Sequence, residues 1–280
     1  GNNRGLFFTR FNNFQPFITY KQDTFAVHNC IMKQIALLFT AVLLIVATAS
    51  AQTDSTGKKK KKDWSKISLN NRANDHFMVQ LGYDGWAQLP DTIKTKGLSH
   101  SVSVYIMMDF PFKSDPRFSA GLGLGVSGSS IKFDQQQPNI IALSSTLPFT
   151  DYSGANAANH FKKYKLVSTY LEVPVELRFV GNPENSDASW KAAVGLKGGL
   201  LLNVHTRGKT LINAAGTTIN NYTEKESSKN FFSGTRIAGT ARIGYGHVSL
   251  YGQYQITSLI KDGRGPNVHP YSIGITLSGL

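Results

Sequence analysis

Two glutamates and an arginine stand in the stretch YLEVPVELRF: Glu172, Glu176 and Arg178. Paired carboxylates can divide general acid and base roles, so these residues could do chemistry. They alternate, however, with apolar residues on the opposite parity, which are Val173, Val175, Leu177 and Phe179. A period of two residues is that of a β-strand with two different faces. The stretch therefore predicts a strand with one ionised and one apolar face, and Pro174, which has no N–H, is predicted to lie at a bulge.

The same alternation recurs in eight segments between Phe77 and the end of the chain, separated by clusters of Gly, Pro, Asn and Asp. Four further basic residues fall on the polar parity of these segments: Lys191, Lys197, Arg236 and Arg242. In the fifth segment, WKAAVGLKGGLLLNVHT, the alternation assigns Val204 to the apolar face and Asn203 and His205 to the polar face.

The links between segments alternate in length. Short links are PFKSDP, GNPENSDAS and Gly246-His247, whereas residues 89–97, 134–162, 206–230 and 260–269 form longer ones. An even number of strands, with short turns at one end and long loops at the other, is typical of an outer-membrane barrel with both termini in the periplasm. The sequence therefore predicts an all-β fold, an eight-stranded antiparallel up-and-down transmembrane β-barrel.

The apolar and polar faces of the strands are predicted to have different surroundings. Val173, Val175, Leu177 and Phe179 are predicted to face lipid, and the seven charged residues are predicted to pair inside a filled lumen. A soluble, lipocalin-like barrel would show the same alternation with its faces exchanged. The polar parity is rich in Gly, Ser and opposite charges, which favours a narrow lumen over a surface in water.

Residues before the barrel have a different character. MKQIALLFTAVLLIVATASAQ begins at Met32 and predicts a signal peptide over 32–51, so that residues 1–31 would be upstream translation outside the mature protein. Residues 52–75 are predicted to form a flexible basic periplasmic tail that contains the run Lys58–Lys62, and the barrel is assigned to 76–280. The run has no aromatic platform beside it, so no nucleic-acid partner is predicted.

Sites of catalysis or metal binding are not predicted. His205, His247 and Ser249 could suggest a hydrolase, but the two histidines are assigned to opposite rims of the barrel. Neither metal-ligand spacing nor a phosphate-binding loop is present, so we expect no metal, no cofactor and no enzymatic activity. The only cysteine, Cys30, precedes the apolar run and would be absent from the mature chain.

The chain resembles the PorT-like outer-membrane β-barrel proteins of Bacteroidetes-type bacteria. The resemblance is carried by the order Leu-Glu-apolar-Pro, here Leu171 to Pro174, and by the glycine-spaced apolar run that contains Gly195, Gly198 and Gly199. It implies the outer membrane of a Gram-negative bacterium, insertion by the barrel assembly machinery, and a monomer surrounded by lipid. It also implies a structural or interaction role, with envelope or secretion-system proteins as partners. A small-molecule binder or transporter that uses the barrel interior is the alternative.

Overall fold

The computed structural model describes residues 76–154 and 158–279. The predicted upstream segment, signal peptide and basic tail lie outside these residues. No helix in the described ranges is long and apolar enough to cross a membrane. The described residues form eleven strands: β1 Phe77–Ala87, β2 His100–Pro111, β3 Phe118–Phe133, β4 Gln136–Pro138, β5 Phe149–Asp151, β6 His160–Val180, β7 Trp190–Ile212, β8 Thr218–Ser227, β9 Thr235–Tyr245, β10 Val248–Gln255 and β11 His269–Ser278.

Eight of these strands form a closed ring. Their order is β6, β3, β2, β1, β11, β10, β9 and β7, and β7 pairs with β6, so every strand of the ring has two neighbours. All of the ring pairings are antiparallel. These strands coincide with the eight alternating segments, so the predicted eight-stranded up-and-down barrel is confirmed. Closure matters because it leaves no unpaired strand edge in the ring.

The strands are strongly staggered around the ring. Starting at Tyr83 and following paired residues through β2, β3 and β6 leads to His205 on β7. The opposite path, through β11, β10 and β9, leads to Val194 on the same strand, eleven residues away. A stagger of this kind accompanies the tilt that lets a narrow sheet close into a barrel.

An apolar outer face covers the middle of the barrel. Each ring strand presents large exposed apolar side chains, for example Leu81, Val102, Leu124, Val175, Leu196, Ile243, Leu250 and Ile275. At the end with the short turns, exposed aromatic residues surround the rim: Phe77, Phe110, Phe112, Trp190 and Tyr245. An apolar band with an aromatic girdle is the surface that barrels present to a bilayer.

The outward positions of the YLEVPVELRF stretch belong to this face. Val173, Val175 and Leu177 are exposed. Phe179 is half-buried because its ring packs against that of Phe118, with 5.2 Å between the ring centroids.

A bulge in β7 changes which side chains point into the lumen after Leu202. Tyr170 is paired with Leu201 but the preceding Thr169 is paired with Asn203, so that Leu202 is an extra residue. Beyond it the parity is reversed: Val204 is fully buried, whereas His205 is only half-buried. The assignment of Val204 to the apolar outer face and of His205 to the lumen was therefore wrong.

Pro174 does not lie at this bulge. β3 and β6 pair from Phe118 to Leu122 and again from Gly125 onward, with the same register on both sides of the gap. The gap lies beside Pro174, which has no N–H to donate. The proline is accommodated by an interruption of the ladder without a shift in register.

The long links are more ordered than the sequence suggested. β7 continues to Ile212 and turns back as β8, so the segment 206–230 is mostly a β-hairpin. A buried apolar cluster at this end includes residues from the segments that connect the strands: Ile93, Ile140, Leu147, Phe231, Phe232, Leu259, Ile260 and Val268. Backbone hydrogen bonds join links to one another, such as Leu147 N to Arg264 O at 2.8 Å. The links thus close the mouth of the barrel.

A charge on the outer face tests the assignment of this face to lipid. Val175 lies between Leu122 and Leu196 of the adjacent strands and is 53% exposed. We expect Val175→Arg to lower the free energy of unfolding by about 2–4 kcal/mol in a bilayer, because a cation would be placed in hydrocarbon. Urea unfolding of the vesicle-inserted protein, followed by tryptophan fluorescence, measures the loss.

The matched control is Ile219→Arg on β8, where the side chain is 51% exposed but the strand is outside the ring. Its effect should stay within about 0.5 kcal/mol. Equal losses for the two variants would show that the face of Val175 is in water.

Candidate functional site

The seven charged residues singled out in the sequence all lie inside the barrel. Every one is at most 7% exposed. They come from three strands: Glu172, Glu176 and Arg178 from β6, Lys191 and Lys197 from β7, and Arg236 and Arg242 from β9. β-strand alternation, which places them opposite the apolar face, is the local cause of this arrangement.

A continuous network through the middle of the lumen is centred on Glu172. This carboxylate pairs with the guanidinium of Arg236 and accepts a hydrogen bond from the Tyr105 hydroxyl. Lys197 Nζ in turn donates to that hydroxyl at 3.2 Å. Arg236 also lies over the ring of Tyr170, 4.3 Å from its centroid.

The network reaches every strand of the ring. Lys197 Nζ donates to Gln80 Oε1 at 2.7 Å and to Gln253 Oε1 at 2.9 Å. Gln80 Nε2 donates to Thr276 Oγ1 at 3.0 Å, and Arg236 donates to Ser127 Oγ at 3.2 Å. With Glu172 and Tyr105, these side chains represent β1, β2, β3, β6, β7, β9, β10 and β11. One hydrogen-bonded cluster thus fixes the relative positions of all eight strands.

A second cluster lies nearer the short turns. Glu176 Oε2 accepts hydrogen bonds from Arg178 at 3.0 Å and Arg242 at 3.1 Å. Arg178 also faces Asp109 of β2 at 3.5 Å, and the Ser119 hydroxyl donates to the same carboxylate at 2.6 Å. Two acids thus face two arginines in a dry site, an arrangement that limits the desolvation penalty of each.

Lys197 departs from the simple ion-pair picture. Its ammonium is fully buried, yet its hydrogen bonds go to two amide oxygens and a phenol. The ring of Tyr105 also lies beneath it, 4.7 Å from the nitrogen. All three donors of the ammonium are therefore used, and the aromatic face adds a cation–π contact.

The sequence indicated which residues face inward but not which of them meet. Asp109, Gln80, Tyr105 and Gln253 fall on the polar parity, which was predicted to face the lumen. Their contacts cross the lumen between strands that are distant in sequence, and alternation contains no information about such contacts.

Glycines on β3 make room for these side chains. A Cβ atom at Gly121 would collide with Arg178, one at Gly123 with Met107, and one at Gly125 with Tyr105. Between Ser119 and Ser127, the inner surface of β3 is therefore occupied by side chains of its neighbours.

Little free space remains. An interior cavity bordered by Asp84, Ser101, Tyr170, Arg236 and Tyr251 has a volume of about 30 Å³. This is room for only a few water molecules, since a site for one needs about 10–15 Å³. The apolar cluster of the long links covers the lumen on one side and the arginine–carboxylate cluster fills it on the other.

The hydrolase residues do not come together. Ser249 is buried in the lumen, where its Oγ has no hydrogen-bond partner among the described residues. His247 bonds the backbone oxygen of Ser278 at 3.0 Å, and His205 lies beyond the β7 bulge. Within the described part of the chain, no three His, Cys, Asp or Glu side chains form a cluster that could hold a metal ion.

The upper parts of β6, β7 and β8, residues 160–167, 205–212 and 218–227, form a surface that we call the crown. One face of it borders a cavity of about 150 Å³, where Glu224 and Glu226 lie near Tyr152 and Tyr164. Burial raises the pKa of Glu226, and the neighbouring Glu224 carboxylate raises it further.

Comparison with known proteins gives one family. The model of the outer membrane protein beta-barrel domain matches residues 65–261. No curated protein matches the chain. Among solved structures, that of Ail, the attachment invasion locus protein of Yersinia pestis, is similar at 11% identity over 72% of this chain and 94% of that chain, with a TM-score of 0.30. The structure of Ail with the heparin analogue sucrose octasulfate is similar at 10% identity over 72% and 96%, with a TM-score of 0.25.

Removing one partner of the central ion pair should be costly. In Glu172→Ala the guanidinium of Arg236 keeps its charge but loses its carboxylate, so we expect a loss of about 3–5 kcal/mol in the free energy of unfolding. The double variant Glu172→Leu/Arg236→Met should recover most of the loss, because both charges of the pair are removed together. Urea unfolding of the inserted protein provides the comparison.

The control is Asp115→Ala in the β2–β3 turn, which breaks the more exposed pair with Arg117. A loss below about 1 kcal/mol is expected there. If Glu172→Ala were as mild, the lumen would have to be hydrated rather than dry.

The crown provides a prediction about pH. Because the pKa of Glu226 is raised in the folded hairpin, ionisation costs stability there: the hairpin is most stable while this carboxyl is protonated and loses stability as pH rises through the raised pKa. Glu226→Gln should therefore increase amide protection in β8 at pH 7 but not at about pH 3.5. Hydrogen exchange, corrected for intrinsic rates, measures the difference, and Asp262→Asn in the β10–β11 link controls for loss of a charge. A gain of equal size at both pH values would contradict the assignment.

Proposed function

Because the chain belongs to the outer membrane protein beta-barrel domain family, we propose that it is a non-conducting, non-enzymatic outer-membrane barrel that displays an interaction surface outside the cell. Its location, the outer membrane of a Gram-negative bacterium, follows from the family and the barrel fold. In such barrels the long links are extracellular and the short turns are periplasmic. The crown and the apolar cluster are then extracellular.

The packing of the lumen is the observation that supports this role. A network with side chains from all eight strands crosses the interior, and the cavity beside it has a volume of about 30 Å³. Eight strands enclose an interior that side chains can fill. A transporter or small-molecule binder would need a cavity roughly ten times larger, so the interior does not favour that alternative.

The non-enzymatic part of the proposal rests on the polar residues. Among the described residues Ser249, the candidate nucleophile, has no hydrogen-bonding partner, and the carboxylates of Glu172 and Glu176 are engaged by arginines. A nucleophile and its base must lie within hydrogen-bonding reach.

The crown supports the interactive part. β8 pairs on one side with β7 and leaves its other edge open to solvent, and its residues are almost all exposed. An open edge with exposed polar side chains can bind partners by strand addition or by side-chain contacts. We propose envelope or secretion-system proteins as partners, consistent with the PorT-like resemblance, together with the barrel assembly machinery during insertion. The closed ring leaves the barrel wall without a pairing edge and is consistent with a monomer.

Conductance tests the proposal. We expect the purified protein to give no stable channels in planar bilayers, because the lumen is filled. A general porin recorded in the same bilayers establishes the sensitivity of the measurement. Robust channels from the wild-type protein would overturn the proposal.

A photo-crosslinking residue at Thr223 of β8 tests the interactive part in living cells, with the same residue at Val175 as the lipid-facing control. Protein adducts at Thr223 alone are expected. Their absence at Thr223 would remove the support for a protein partner at the crown.

A further inference from the structure

A row of four basic side chains crosses the outer face of the sheet at the extracellular end. Lys132 of β3 is paired with Lys165 of β6, Lys165 with Arg207 of β7, and Arg207 with Lys225 of β8. Side chains opposite each other on adjacent strands are neighbours on the same face. We call these four residues the basic row.

The row faces outward on each of its four strands. Ile131 and Phe133, which flank Lys132, are buried in the apolar cluster, so the lysine points the other way. Thr206 and Gly208, which flank Arg207, border the cavity on the inner side of the crown together with Glu224 and Glu226. The sheet therefore separates its charges, with acids on the inner face and bases on the outer face.

No carboxylate in the described part of the chain pairs with any member of the row. The nearby Asp134 is engaged by Lys96 at 2.9 Å. Further cations adjoin the row, since Lys163 is paired with Lys209 on the same two strands. Like charges directly opposite each other destabilise a sheet, so this arrangement calls for anions from outside the chain.

The row borders a groove of suitable size. Its volume is about 390 Å³, and its walls include Lys96, Lys132, Lys163, Lys165, Arg207 and Lys209. Lys and Arg side chains converging on such a space can make several charge-assisted hydrogen bonds to phosphate or carboxylate oxygens.

The open edge of β8 determines where the basic row lies relative to the hydrocarbon layer of the membrane. An unpaired strand edge cannot stand in hydrocarbon, so the whole of β8, from Thr218 to Ser227, lies outside the hydrocarbon layer. The pair of Arg207 and Lys225 is therefore outside it too. The apolar face ends just below, because the exposed Leu202 precedes Arg207 by five residues of β7, a rise of about 12 Å along a tilted strand.

We propose that the basic row binds the phosphate and acidic sugar groups of outer-leaflet lipopolysaccharide. The row faces sideways from the barrel wall, just above the apolar face, where the headgroups of neighbouring lipids stand. A soluble polyanion could approach the top of the crown, whereas the cations lie on the side of the crown, next to the surrounding lipids. This inference deepens the proposed function by naming a ligand for one face of the crown, and it rests on the outer-membrane orientation used there.

Binding of purified lipopolysaccharide tests the proposal. The folded protein in a neutral detergent is titrated with lipopolysaccharide in a calorimeter, at low and at high salt. The variant Lys132→Gln/Lys165→Gln/Arg207→Gln/Lys225→Gln should bind roughly 100-fold more weakly than wild type, because each basic residue near an anionic surface contributes a factor of several. Wild-type binding should also weaken with salt and with dephosphorylated lipopolysaccharide.

The matched control, Lys94→Gln/Lys113→Gln/Lys261→Gln/Arg264→Gln, removes three lysines and one arginine that are exposed elsewhere. It should bind as wild type does. Heat-modifiable migration verifies that each variant is folded, and Lys165→Gln/Arg207→Gln replaces the fourfold variant if that one is not.

Equal affinities of the row variant and the control would overturn the proposal. So would a preference for a soluble polyanion, for which a sulfated oligosaccharide and inorganic phosphate are the probes. Either result leaves the absence of conductance and the crosslinks at Thr223 untouched, so failure of this inference is distinguishable from failure of the proposed function.

Discussion

The interior of an eight-stranded barrel is only as wide as the side chains that fill it, and the rest of this structure depends on that limit. A charge that points inward has neither bulk water nor empty space around it, so a neighbouring side chain must supply its partner. Glu172 meets Arg236 and Tyr105, while Glu176 meets Arg178 and Arg242. All of these partners except Arg178 come from other strands of the ring, so satisfying the charges also locks the strands in register. These ionised side chains thus form the core of the barrel.

The barrel has two kinds of core in sequence along its axis. Charged and amide side chains fill the part surrounded by the apolar outer face, and an apolar cluster fills the part surrounded by the long links. In each part the interior and the exterior are opposite in polarity. Lipid surrounds the wall that encloses the charges, and water surrounds the links that enclose the apolar cluster. In the part that spans the membrane, the sheet separates a polar interior from lipid. In the part formed by the long links, the apolar cluster is a core like that of a globular protein in water.

Alternation in the sequence was sufficient to predict the strands of the barrel wall and the direction in which their side chains face. It identified the eight strands and the parity of Val175 and Glu176, because facing in a strand depends on local spacing alone. It failed above Leu202, where a single extra residue reverses the parity of Val204 and His205. It also gave no indication of the closed mouth or of the partners of Lys197, because these depend on contacts between residues that are far apart in sequence. The links looked like polar loops, and only Ile140, Phe231, Phe232 and a few similar residues hinted at a core within them.

The glycines of β3 restrict which substitutions the barrel can tolerate. Gly121, Gly123 and Gly125 contribute no side chain to any contact, yet each holds open the space occupied by Arg178, Met107 or Tyr105. Almost any replacement there would displace a neighbour, whereas apolar replacements on the outer face of the same strand would displace only lipid. Retention of these three glycines in relatives of this protein would thus mark positions that have no chemistry of their own, where the inner surface of β3 is made by side chains of other strands.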